Sequence, residues 1–147
     1  MPLNQEGPPM ILLVDDDSDY AQALAKTLGR AGYRVSTAGD CRGALTILRD
    51  QSFDLIITDL HMPLNSGLDL LRSIRAISPE VPVVVITAFG EWTTYLQAMN
   101  SGAVDYLNKP VRRQDILMTI GKALARRGIW VPYYPSTNSD EAGGTAA

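Results

Sequence analysis

Residues 10–32 read MILLVDDDSDYAQALAKTLGRAG. The apolar run Met10 to Val14 stops abruptly at Asp15, Asp16 and Asp17, as a strand buried on both faces does where its end meets solvent. Helical spacing follows at Tyr20, Ala23, Leu24, Thr27 and Leu28, closed by Gly29 and Gly32, so the stretch is one β–α unit. The alternation then recurs. Tyr33–Thr37 precedes Ala44–Leu48, Leu55–Thr58 precedes Leu68–Ile77, Val83–Thr87 precedes Trp92–Met99, and Val104–Leu107 precedes Gln114–Ala125. Five such pairs imply an α/β fold with a parallel sheet sandwiched between helices. Asp40 is placed to cap the second helix, Gly102 ends the fourth, and Pro79 and Pro82 bracket a turn. Trp92, Leu96 and Met99 share a helical stripe that reads as buried, leaving Tyr95 for the surface.

The chain has 147 residues, 46% of them hydrophobic, enough for one well-filled domain and its tails. Residues 1–9 read as an N-terminal extension, 10–127 as the folded domain and 128–147 as a largely disordered tail, since its last dozen residues are small and polar. Trp130, Tyr133 and Tyr134 stand between prolines and are able to dock on the domain or on a partner, although a loosely attached extension is the plainer reading. A net charge of −3 argues against a large basic patch, which makes proteins rather than nucleic acid the expected partners. Cys41 is the only cysteine, and the opening MPLNQEGPPM has neither a basic nor a long apolar targeting segment. The longest apolar run, around Val81 to Ile86, is strand-sized, so a cytoplasmic protein with no membrane span is expected.

Ligands of an open parallel sheet bind beyond the carboxyl ends of its strands. There the first strand delivers Asp15 and Asp16, the third Asp59, the fourth Thr87 and then Ala88, and the fifth Lys109 and Pro110. The second delivers only Ala38 and Gly39, as an edge strand would. Carboxylates gathered within ~5 Å repel by roughly 3 kcal/mol per pair at an effective dielectric of about 20, so a cation is required. Oxygen ligands without a patterned His or Cys select Mg²⁺ over zinc. Lys109 adds a compact positive charge and Thr87 a hydroxyl donor, which together suit a phosphoryl group. Asp59, alone at the end of LIIT, is the best-placed nucleophile. Read singly, the acids are a solvated loop that caps a helix, Thr87 an ordinary strand residue and Lys109 a surface charge. Their joint placement at strand ends favours the site. His61 has no second His or Cys at ligand spacing, so its side chain is a poor ligand.

In this order, ILLVDDD, DLIITDLHMP with SGLDLL, VVVITAFG and GAVDYLNKP resemble the motifs of the receiver domain of bacterial two-component response regulators, from about Met10 to Arg127. The helix opened by Gly90–Glu91 and the GAVDYLNKP segment are most similar to receivers of nitrogen-regulatory enhancer-binding activators. The resemblance implies a flavodoxin-like (βα)5 three-layer sandwich with strand order 2-1-3-4-5. It implies Asp59 as acceptor of a phosphoryl group from a histidine kinase or phosphotransfer protein. Mg²⁺ would be held by Asp15, Asp16, Asp59 and the backbone carbonyl of His61, leaving Asp17 as a first-turn acid. Thr87, Ala88 and Lys109 would bind phosphoryl oxygens, Thr87 and Tyr106 would switch, and Lys109–Pro110 matches the family's cis peptide. Mg²⁺-dependent self-phosphorylation and slow self-dephosphorylation would be the only chemistry. Output to a target protein or a second copy would use the face of the fourth helix, fifth strand and fifth helix.

Two rival readings are weaker. Hydrolases with an aspartyl nucleophile usually carry a second acid two residues later, where this chain has His61, and a cap domain. An adaptor with a silent pocket would not need Asp59, Thr87 and Lys109 together. Activators of the similar class continue into an ATPase and a helix-turn-helix, which this sequence lacks; a stand-alone receiver and an excised fragment are both compatible with it.

Overall fold

Strands covered on both faces need apolar side chains at every position, and the three central runs of this sequence satisfy that demand. The computed structural model describes residues 7–60, 67–88, 91–129 and 131–132. In chain order the elements are β1 (Met10–Val14), α1 (Ser18–Arg30), β2 (Arg34–Ala38), α2 (Cys41–Asp50), β3 (Leu55–Thr58), α3 (Gly67–Ile77), β4 (Val83–Thr87), α4 (Trp92–Asn100), β5 (Asp105–Asn108) and α5 (Arg113–Arg126). All strand pairs are parallel and the sheet order is β2-β1-β3-β4-β5. This is the flavodoxin-like sandwich the motifs imply.

Alternate strand residues feed two cores. Leu12, Val14, Ile56, Val83 and Val85 pack with Ala44, Leu48, Leu70, Leu71, Ile74 and Ala98 of α2, α3 and α4. On the other face Ile11, Leu13, Ile57, Val84 and Ile86 meet Leu24 and Leu28 of α1 and Ile116, Leu117, Ile120 and Leu124 of α5. Asp40 caps α2 by accepting from the Gly43 N–H at 2.7 Å. Asp17, expected inside the first turn of α1, is instead its N-cap and accepts from the Tyr20 N–H at 3.1 Å.

Two other expectations are corrected. Gly29 lies inside α1, and the turn is made by Gly32, whose φ of +102° suits glycine. Trp92 and Leu96 are not buried: they are 71% and 39% exposed. The nine-residue α4 buries Ala98 fully, and at 100° per residue Leu96 and Trp92, two and six positions earlier, fall on the opposite side of the helix and point outward. In addition, the segment after α5 packs back on the domain. The Ile129 N–H donates to the Leu124 carbonyl at 3.0 Å, Ile129 and Val131 pack on the α1/α5 core, and Pro132 lies over Gly32. Trp130, Tyr133 and Tyr134 lie outside the described residues.

A Cβ built on Gly32 stands 2.6 Å from the Pro132 Cβ. Gly32→Ala therefore combines a disfavoured φ with a steric clash, and we expect a loss of roughly 1–3 kcal/mol in urea denaturation, partly recovered by adding Pro132→Ala. A Gly32→Ala variant as stable as native would show that the segment after α5 does not press on this turn.

Candidate functional site

Each side chain of the site is held by the last rung of the sheet. The Asp15 N–H donates to the Ala38 carbonyl at 3.0 Å, the Asp59 N–H to Val14 at 3.0 Å, and the Lys109 N–H to Thr87 at 2.9 Å. Every acceptor is the final residue of a neighbouring strand. The site residues thus stand one step beyond their own strands with their backbones still fixed, the most restrained position a loop residue has.

Lys109 Nζ donates to Asp15 Oδ2 at 2.7 Å and to Asp59 Oδ2 at 3.0 Å. The other oxygen of Asp15 accepts the Asp17 N–H at 2.9 Å, so the turn that caps α1 also orients the carboxylate. Asp15, Asp59 and Thr87 are buried, whereas Asp16 is exposed at the rim. Buried Thr58, beneath the site, donates its hydroxyl to the Asp59 carbonyl at 3.1 Å. Ala88 is exposed just beyond Thr87, and the Lys109–Pro110 peptide is cis. His61 lies outside the described residues.

One carboxylate oxygen from each of Asp15, Asp16 and Asp59 lies within 4.8 Å of the others. A single ammonium against three carboxylates leaves the pocket negative. An all-oxygen donor set with an exposed rim fits a hard divalent cation that keeps part of its water shell. Burial pushes the Asp15 carboxyl above its usual range, against the opposing bonds from Lys109 and the Asp17 amide. Burial also works against the Lys109 ammonium, but its bonds to Asp15 and Asp59 outweigh that and hold it above the ordinary lysine range.

Three contacts have no counterpart in the sequence pattern. The Lys109 Nζ lies 4.3 Å from the centroid of the Tyr20 ring, a residue that the helical pattern presented only as core. Its sole sequence signal is an aromatic placed in the first turn after the acidic run. Trp92 stacks on Tyr95 at 5.5 Å, and Tyr95 meets the edge of Tyr106 at 5.5 Å, giving an aromatic array across α4 and β5.

Fold and site together define a flavodoxin-like α/β module with an acidic pocket at the carboxyl end of its sheet. Residues 11–121 match the family described as response regulator receiver domain, and the chain belongs to that family. It is 39% identical over 115 residues to the transcriptional regulatory protein ZraR of Escherichia coli K12, a match covering 78% of this chain and 26% of that protein. It is also 39% identical over 116 residues to the response regulator protein PilR of Pseudomonas aeruginosa, covering 79% of this chain and 26% of that one. The chain therefore spans only a minor part of the length of these relatives. A receiver domain protein from Clostridium thermocellum superposes with a TM-score of 0.78 at 37% identity, covering 82% of this chain and 97% of its own. Among the described residues, no helix is long and apolar enough to cross a membrane.

Because Asp15 holds its proton more tightly folded than unfolded, its ionisation opposes folding in the absence of metal. This penalty is present above the folded pKa and fades as pH falls through it toward the unfolded value of 3.8. With a chelator at neutral pH, Asp15→Asn should be more stable than native, and the gap should close as the carboxyl protonates. Denaturant titrations at neutral and acidic pH test this; a gap independent of pH would contradict it.

Proposed function

We propose that this chain is the phosphoryl-accepting switch of a two-component signalling system, with Asp59 as acceptor and a histidine kinase or phosphotransfer protein as donor. The reading rests above all on the Asp59 carboxylate, buried at the end of β3, bonded to Lys109 and clustered with Asp15 and Asp16. An Asp59 oxygen forms a bond to phosphorus while the P–N bond of a phosphohistidine breaks; the electron pair leaves with the imidazole nitrogen, which takes a proton from water. Asp15, Asp16, Asp59 and the His61 carbonyl would hold Mg²⁺, which when bound supplies positive charge for the phosphoryl oxygens.

Thr58 pairs with Val85, so Thr87 stands one residue farther out than the level of Asp59, a rise of about 3.3 Å. That height suits a hydroxyl meant for an oxygen attached to Asp59 rather than for the carboxylate itself. Lys109 trades its bond to Asp59 for one to the phosphoryl group, and the Ala88 N–H adds a donor. On this reading the phosphoryl group outlasts a catalytic turnover, since the described strand ends present carboxylates, a hydroxyl and an ammonium; His61, two residues beyond Asp59, lies outside the described residues and is the side chain placed to change that lifetime. The protein is on this reading a switch and not an enzyme, with residues 10–127 as its receiver, the segment after α5 packed against it, and the cytoplasm as its site of action.

Output follows the α4–β5–α5 face. The Tyr106 hydroxyl is buried with no hydrogen-bond partner among the described residues, a condition that costs about 1–3 kcal/mol and narrows the gap to an outward ring position. Movement of Thr87 toward the phosphoryl group changes the space available to Tyr106, and the array to Tyr95 and Trp92 carries the change to a target protein or a second copy.

The deciding experiment is incubation with Mg²⁺ and acetyl phosphate or phosphoramidate, followed by intact mass. Native protein should gain one phosphoryl group that decays slowly, and Asp59→Asn should gain none. Native-rate labelling of Asp59→Asn would sink the assignment. Backbone chemical shifts with and without a phosphoryl mimic test the output route. In native protein the changes should centre on Tyr106 and on Trp92 to Met99, and they should shrink in Thr87→Ala; undiminished changes in that variant would contradict the route.

A further inference from the structure

We propose that Tyr20 is a positioning residue for phosphoryl transfer, acting through Lys109. The inference rests on the reading of Asp59 and Lys109 given above. Lys109 carries a flexible four-carbon stem, and its ammonium has three N–H groups. Two are directed at Asp15 and Asp59, and the Tyr20 ring forms a further wall of the site with its centroid 4.3 Å from Nζ. The lysine side chain is only 14% exposed, so this cation–π contact operates with much of the surrounding water excluded, where such contacts are strongest.

The ring is itself fixed from two sides. The Tyr20 backbone N–H is bonded to the Asp17 cap, and the side chain packs against the α1/α5 core. The same DDD segment therefore supplies the carboxylate that Lys109 binds, the cap that starts α1 and, through that cap, the face on which the ammonium rests.

Phosphoryl transfer asks Lys109 to give up an oxygen of Asp59 for an oxygen of the arriving group while staying over the pocket. A hydrogen bond ties an N–H to one acceptor direction, whereas the negative face of a ring attracts the whole ammonium. Tyr20 thus confines Nζ during the exchange without opposing the change of acceptor. The phenol hydroxyl plays no part in this, which separates the role from hydrogen bonding by tyrosine.

The test uses the full chain with acetyl phosphate and Mg²⁺. Tyr20→Leu, which keeps an apolar side chain, should lower the phosphorylation rate roughly fivefold to thirtyfold, and Tyr20→Phe should recover most of that loss. In Lys109→Met the leucine substitution should add no further loss, an outcome that a packing role for Tyr20 would not produce. Independently of any rate, the Lys109 ε-methylene protons should carry an upfield ring-current shift in native and Tyr20→Phe protein that vanishes in Tyr20→Leu. Absence of that shift from native protein overturns the contact even if the leucine variant fails to fold. Native uptake of phosphate with an unimpaired Tyr20→Leu overturns this inference alone, while a native chain that takes up none overturns the functional reading and this inference with it.

Discussion

A single ammonium joins two buried carboxylates at the end of the sheet. Lys109 reaches Asp15 and Asp59, which are 94 and 50 residues away along the chain, and without it the pocket would gather three negative groups with no fixed counter-charge. Burial makes the arrangement costly for the Asp15 carboxylate in the folded chain taken alone, although the Lys109 ammonium is favoured by the same bonds. The site is therefore less than optimal for stability and suited to an incoming cation and anion, the form a binding site takes when its ligands complete the charge balance.

What makes the arrangement possible is register. Val14 pairs with both Ala38 and Thr58, and Thr87 pairs with Asn108. The next residue of β1, β3 and β5 is then the site residue, tied back by its own N–H. A slip of one residue in any of these pairs would move a site side chain by about 3.3 Å and turn it to the opposite face of the sheet. The cores enforce the register, because the same slip would exchange the residues that feed the α2/α3/α4 side with those that feed the α1/α5 side.

This explains which features were legible in the sequence. β1, β3 and β4 are buried on both faces, so each is an apolar run ended by polar residues, and the site residue is the first or second of these. The edge strands lack that signature. β2 and β5 each begin and end one residue later than their patterns suggest, since exposed and half-buried positions blur the boundary. α4 buries only Ala98 fully, so helical periodicity alone could not say which stripe faced inward, and Trp92 and Leu96 were read the wrong way round. Tyr20 beside Lys109 and Gly32 beside Pro132 are contacts between distant segments, and no local pattern encodes either.

The two flanks of the site differ in how firmly they are held. Toward α1, Lys109 rests on a ring anchored by a helix cap and a core. Toward α4, the same strand that delivers Lys109 carries Tyr106, whose hydroxyl has no partner among the described residues and whose ring touches an array that ends in an exposed tryptophan. A charge added at Asp59 would, on the functional reading proposed above, pull on Lys109 and Thr87 alike, and displacement would follow the side that resists least. On the functional reading proposed here, the rigid α1 flank and the loosely satisfied β5 flank together give the switch its direction, from the pocket toward the α4 surface.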